Sequence, residues 1–130
     1  MNVRQSKLYV HTTVIYKPKD LQNLVLRDIK SLVYDSSSAI TVKGYMNTKP
    51  EVSQDSYIGR MLAQGTFVSL CEISYEATVN INTNDIVHFT TVGHPNYGEW
   101  YQVVGNPKVK NWNANKLTVY VHRVIKPKIE

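Results

Sequence analysis

Residues able to carry acid–base, metal or nucleophilic chemistry are few in this chain. The four histidines are His11, His88, His94 and His122. None stands in an H-x-H or H-x-x-x-H pair, the spacings that put two imidazoles on one face of a strand or helix. A metal would need ligands gathered from distant strands, so these read as surface or strand-face histidines, and neither metal nor cofactor is expected. Asp85 and His88 are separated by an odd offset and face opposite sides of a strand unless Asp85 lies in the preceding turn. Glu72 and Glu76 share a strand face, where like charges are usually just solvated. Cys71, the single cysteine, falls in an alternating apolar set and reads as a small core residue, with no local histidine to activate it. G-x-S-x-G, P-loop and G-x-G-x-x-G patterns are absent. The expectation is a protein that is not an enzyme.

Binding chemistry is better represented. Lys108, Lys110, Trp112 and Lys116 place an aromatic ring among positive charges in one polar stretch. Single-strand nucleic-acid binders use that combination, stacking a base on the ring while lysines follow the backbone. Such platforms usually use several rings, so the plainer reading folds Trp112 onto the barrel end and leaves the lysines solvated. Fifteen Lys and Arg against ten Asp and Glu give a net charge of +5. The charge is scattered, at Lys17, Lys19, Lys43, Lys49, Arg60, Arg123, Lys126 and Lys128 among others, which attracts polyanions in general without specificity.

The elements that must position these residues are mainly strands. Nine Tyr and two Trp against two Phe, with much Val and Thr, suit half-buried pleated surfaces. A length of 130 residues fits one domain, 1–130, without internal repeat or boundary. Low net charge with ordinary apolar content excludes a disordered tail. No apolar run is long enough to span a bilayer, so no membrane is expected. The first residues do not read as a signal peptide, and one cysteine excludes a disulfide scaffold.

Lys7 to Tyr16 alternates on both faces and is predicted as a strand covered on two sides or paired in an assembly, ending at Pro18. Residues 21–33 fit both an apolar helical stripe and short strand runs, with a slight preference for helix. Asp35–Ser38 is predicted as a turn. Ala39–Met46 is predicted as a strand in which Gly44 marks a bulge or a close backbone approach. Residues 47–65 form a long loop with room for one or two helical turns, either functional or a surface excursion. Phe67 to Tyr75 alternates again. Residues 86–105 read as a hairpin around a turn at Gly93–Gly98. Asn106–Pro107 should break that strand and Lys108–Asn115 should be a polar loop. Leu117 to Ile125 reads as the last strand, with Leu117, Val119 and Val121 inward, and 126–130 as a tail. The predicted fold is mainly β: a small antiparallel barrel or sandwich of about six strands with one or two short helices and a long loop.

Several segments resemble a known group. Lys7-Leu8-Tyr9-Val10-His11-Thr12-Thr13-Val14-Ile15-Tyr16 is similar to the opening strand of small minor capsid and head-closure proteins of tailed bacteriophages. Asn84-Asp85-Ile86-Val87 resembles the turn-and-strand of head–tail connector proteins. Glu99-Trp100-Tyr101-Gln102-Val103-Val104-Gly105 resembles the strand after it, and Leu117-Thr118-Val119-Tyr120-Val121 their closing strand. About two thirds of the chain is covered by this resemblance, and residues 20–64 depart from it.

The resemblance implies a non-enzymatic virion protein of the phage neck, assembled in the host cytoplasm. It implies a homo-oligomeric ring, commonly of twelve, between portal or adaptor and tail proteins, continuing or closing the channel for genomic DNA. By that analogy Lys49, Tyr57, Arg60 and Met61 lie in a channel-facing or neighbour-clasping stopper loop, and Tyr9, His11 and Ile15 on a subunit-interface strand. A tail terminator or tail completion protein is the near alternative. A small-barrel single-stranded nucleic-acid-binding protein using Lys108, Lys110, Trp112 and Lys116 is the alternative of another class.

Overall fold

A computed structural model describes residues 9–19, 27–50, 69–110 and 113–130. Its strands are β1 (His11–Pro18), β2 (Val33–Asn47), β3 (Cys71–Glu76), β4 (Ile86–Phe89), β5 (Trp100–Lys110), β6 (Asn113–Val124) and β7 (Lys128–Ile129). The helical element among the described residues is one 3-10 turn, Ile29–Ser31, capped by the Asp28 carboxylate on the Lys30 amide.

The sheet order is β1-β4-β5-β6-β3-β2-β7, and β1 also pairs with β2. That last pairing closes six strands into a barrel, all antiparallel to their neighbours. Closure removes most of the exposed edge that an open sheet would present. The seventh strand, β7, lies parallel to the start of β2.

Alternation explains the core. Ile15, Val87, Phe89, Ile73, Tyr75, Tyr101, Val103, Leu117, Val119 and Val121 point inward and bury together with Cys71 and Met46. Leu117, Val119 and Val121 face inward as their spacing predicts. Thr13 is also inside; its hydroxyl donates to the Val42 carbonyl and accepts from the Tyr75 hydroxyl. Both polar groups are thereby satisfied without water, as burial demands.

A second apolar cluster lies outside the barrel. Leu32, Tyr34 and Ile86 bury against Tyr16, Ile29, Trp100 and Ile129. Ile86 and His88 point away from Val87 and Phe89, so residues 27–34 and β7 cover the outer side of β4 and β5. β1 sits between β2 and β4; of its outward residues Tyr16 packs under the outer layer, Thr12 and Val14 are half-buried, and Val10 before it is exposed.

Four expectations are corrected. The helix does not continue to residue 33: only Ile29–Ser31 turns, Val33 already pairs with Lys128, and 21–26 lie outside the described residues. Asp35–Ser38 is not a turn between elements but an irregularity inside β2. Its turn chemistry is present, since the Asp35 carboxylate accepts from the Ser37 amide and hydroxyl and Ser38 donates to the Asp35 carbonyl. The Ser38 hydroxyl accepts from Lys17 N–H, which keeps the stretch tied to β1 where the register shifts. Asn106–Pro107 does not break the strand and Lys108–Asn115 is mostly not loop, because β5 runs through Pro107 to Lys110 and β6 starts at Asn113; 111–112 lie outside the described residues. A register shift between Val104 and Lys108, with Gly105 at φ 70°, makes the bulge that accommodates the proline. The tail is also structured, through β7 and the Ser36 amide donating to the Glu130 carbonyl.

Candidate functional site

At one end of the barrel the turn 90–98 folds over the mouth. Thr90 N–H donates to the Thr12 carbonyl, and Thr12 N–H donates to the Thr91 hydroxyl, fixing the turn to β1. Asn96 reaches inward, donating to the Tyr101 hydroxyl at 2.9 Å and toward the Met46 sulfur at 3.7 Å. Gly93 and Gly98 both have φ 84°, a conformation glycine adopts without strain.

The ring of His94 lies edge-on to His11 and Phe89, at 4.9 and 4.7 Å between centroids, and His11 stacks on Tyr45 at 5.2 Å. Each imidazole accepts a backbone N–H at Nδ1: His11 from Met46 at 2.9 Å and His94 from Asn96 at 3.0 Å. An Nδ1 that accepts carries no hydrogen, so His11 is held as a neutral ring with its hydrogen at Nε2. Burial, then the neighbouring His94, lowers the pKa of His11. Around this cluster stand Val10, Tyr45, Val92 and Tyr97, which are 54%, 48%, 87% and 59% exposed. This end therefore shows apolar and aromatic side chains to solvent.

The outer layer holds a polar network that spacing alone did not reveal. Asn84 is fully buried at φ 74°. Its side-chain oxygen accepts from Arg27 N–H and from the Gln102 amide; Gln102 also donates to the Arg27 carbonyl and accepts from His122 Nε2 at 3.0 Å. The Tyr34 hydroxyl donates to the Asn84 carbonyl at 2.5 Å. The network ties residue 27 to Asn84 and to Gln102 of β5, and Gln102 in turn to His122 of β6. Desolvation lowers the pKa of His122.

Beside it, Lys17 forms an ion pair with the buried Asp85, whose Oδ2 also accepts from Asn82 N–H. Burial raises the Asp85 pKa, and the bond from Lys17 opposes that shift. Asp85 does lie just before β4, in the turn. It reaches Lys17, while His88 stacks on Trp100 at 3.9 Å with Lys126 above the same indole.

The structure sorts the sequence-predicted residues as follows. Tyr9 and Ile15 are buried in their own chain, with Tyr9 donating to the Tyr75 carbonyl, so the outward residues of that strand are Val10, Thr12 and Val14. His11 lines the capped mouth. Lys49 is exposed just beyond β2, at the apolar end, while Tyr57, Arg60, Met61 and the rest of the loop from 51 lie outside the described residues. Lys108 and Lys110 are on β5 and Lys116 on β6, so the hairpin gathers them at the end opposite the 90–98 turn; Trp112 lies outside the described residues. Glu72 and Glu76 sit opposite Tyr120 and Lys116 across the β3–β6 ladder. Burial raises the Cys71 thiol pKa, which keeps the thiol protonated rather than nucleophilic. Among the described residues, no three His, Cys, Asp or Glu stand together to hold a metal ion, and no helix is long and apolar enough to cross a membrane.

The strand pairing defines a small closed β-barrel. No family model and no curated protein matches the chain. Among solved structures, the solution structure of protein SF1141 from Shigella flexneri 2a is similar over 97% of this chain and 99% of that chain, with a TM-score of 0.59 at 14% identity. At that identity the likeness shows the fold alone.

Proposed function

We propose that this chain is a structural subunit of the neck of a tailed bacteriophage, a head–tail connector or head-closure protein that assembles into a ring between portal or adaptor and tail. The observation that carries the reading is the apolar, aromatic surface of Val10, Tyr45, Val92 and Tyr97 at one barrel end. Exposed apolar residues grouped at one end of a fold mark interaction surfaces. A head-to-tail contact through such an end closes into a ring when the rotation between subunits divides the circle. Lys49, exposed just beyond β2, stands at the same end, which suits a contact with a neighbour or the channel. The ring would hold twelve copies by resemblance and pass genomic DNA without reading its sequence.

The deciding experiment is electron microscopy of phage necks purified from infected host cells, with the chain tagged. Label in a ring between portal and tail is expected; absence from assembled particles refutes the reading, and label at the far tail end would instead favour a tail terminator. The hairpin that gathers Lys108, Lys110 and Lys116 favours a second reading, single-stranded nucleic-acid binding. It predicts affinity that falls steeply with salt, and a flat titration at low salt refutes it.

A further inference from the structure

Among the described residues, part of one edge of β2 has no strand paired to it. The Val42 carbonyl accepts from Thr13, and Met46 N–H donates to His11. The even-numbered residues in this part of β2 thus turn their backbone groups toward β1. Successive residues of a strand direct their N–H and C=O to opposite sides, so Ala39, Thr41, Lys43 and Tyr45 face the other edge. There Tyr45 meets Ser74 of β3. At the start of β2 the same edge is taken by β7, through the Tyr34 carbonyl and the Ser36 amide. Between those two neighbours, no described strand pairs with the edge from Ala39 to Lys43.

Within this window Ala39 to Val42 contains neither charge nor proline, Ile40 is 57% exposed, and the one charge, Lys43, stands at its C-terminal end. Unguarded edges are templates for another strand. We infer that the β2 edge from Ala39 to Lys43 is a docking site for an extended segment of another protein chain, added antiparallel as one more strand.

The flanks select the occupant. β3 and β7 stand at the two ends of a window about 17 Å long at ~3.3 Å per residue. A second β2 would bring its own β3 and β7 on the same edge and collide with them, whereas a lone segment of about five residues fits. Backbone bonds to Ala39 and Thr41 give affinity. An apolar side chain covers Ile40, and an acidic residue at the N-terminal end of the segment meets Lys43. The site does not depend on the neck reading, since any partner with such a segment would fill it.

The test is an NMR titration of the full chain with the peptide Ac-Glu-Val-Thr-Val-Thr-NH2, with Ac-Glu-Val-Pro-Val-Pro-NH2 as the partner lacking two donors. Saturable shifts centred on the Ala39 and Thr41 amides are expected for the first peptide, at least fivefold weaker for the second. Thr41→Pro should abolish them, because it removes an N–H that the barrel does not use. Should that variant misfold, Ile40→Lys provides the second check by weakening binding severalfold. Absence of shifts at millimolar peptide, equal shifts with both peptides, or protection of these amides that depends on the concentration of the chain alone would overturn the proposal, the last by assigning the edge to a second copy.

Discussion

Gly44 offers the sharpest test of how closely β2 and β3 approach. A Cβ there would stand 2.8 Å from the Ser74 carbonyl oxygen and 2.8 and 2.9 Å from two carbons of the Tyr75 ring, well inside the ~3.5 Å of ordinary contact. Neither neighbour yields easily. Ser74 is held in ladders on both sides of β3, and the Tyr75 ring is fully buried with its hydroxyl bonded to Thr13. Overpacking of a fixed core costs about 1–3 kcal/mol, and rigid neighbours place Gly44→Ala in the upper half of that range. The smaller unfolded-state entropy of alanine returns about 0.4–1 kcal/mol, leaving a net loss of about 1–2.6 kcal/mol. For a chain of this length, an unfolding entropy of ~2.1 cal/mol/K per residue converts that to a fall in Tm of about 4–10 °C. Urea denaturation followed by fluorescence should show the midpoint falling with the m-value unchanged. A Gly44→Ala protein as stable as the parent would refute the close approach, and with it the closure of the barrel between β2 and β3.

Acid should destabilise the fold. Desolvation lowers the pKa of His11, His88 and His122 in the folded chain, so the unfolded chain binds more protons and stability is lost as the pH falls through about 6.5. Asp85 has the opposite sign, since its raised pKa makes its ionised form a burden that lifts as pH falls through the folded-state value. His122→Gln should flatten the fall of the urea midpoint between pH 7.5 and 5.5; an unchanged slope would show that His122 is not among its sources. Lys17→Met strands the Asp85 charge, 1% exposed in its side chain, and should cost about 3–5 kcal/mol, with much of it recovered in Lys17→Met/Asp85→Leu; additive losses would refute the pair. Cys71 should react with an aromatic disulfide reagent only at the rate of unfolding, and immediate labelling of the native chain would contradict its burial.

Strand faces were legible because alternation is a local property. The inward set Leu117, Val119 and Val121 follows from it, as do the turn at Gly93–Gly98 and the tight approach at Gly44. Misreadings arose where a partner distant in sequence supplied the energy. Asp35 to Ser38 carries genuine turn bonds, yet Tyr34, Asp35 and Ile40 pair with β1 on either side of it, so the strand runs through. Pro107 would end a strand in isolation, but a bulge at Gly105 absorbs it. The mouth cluster was illegible for a simpler reason: His11, Tyr45, Phe89 and His94 have no shared spacing and meet only when β1 and β2 come together.

By itself the sequence determined a mainly β domain with a scattered positive charge and no local catalytic motif, since these depend on composition and period. Tertiary structure alone decided that the strands close on themselves, that one end is apolar and the other gathers the hairpin lysines, and that β2 keeps an open edge. Those features depend on which strands pair, and pairing is a contest among long-range contacts that no local window contains.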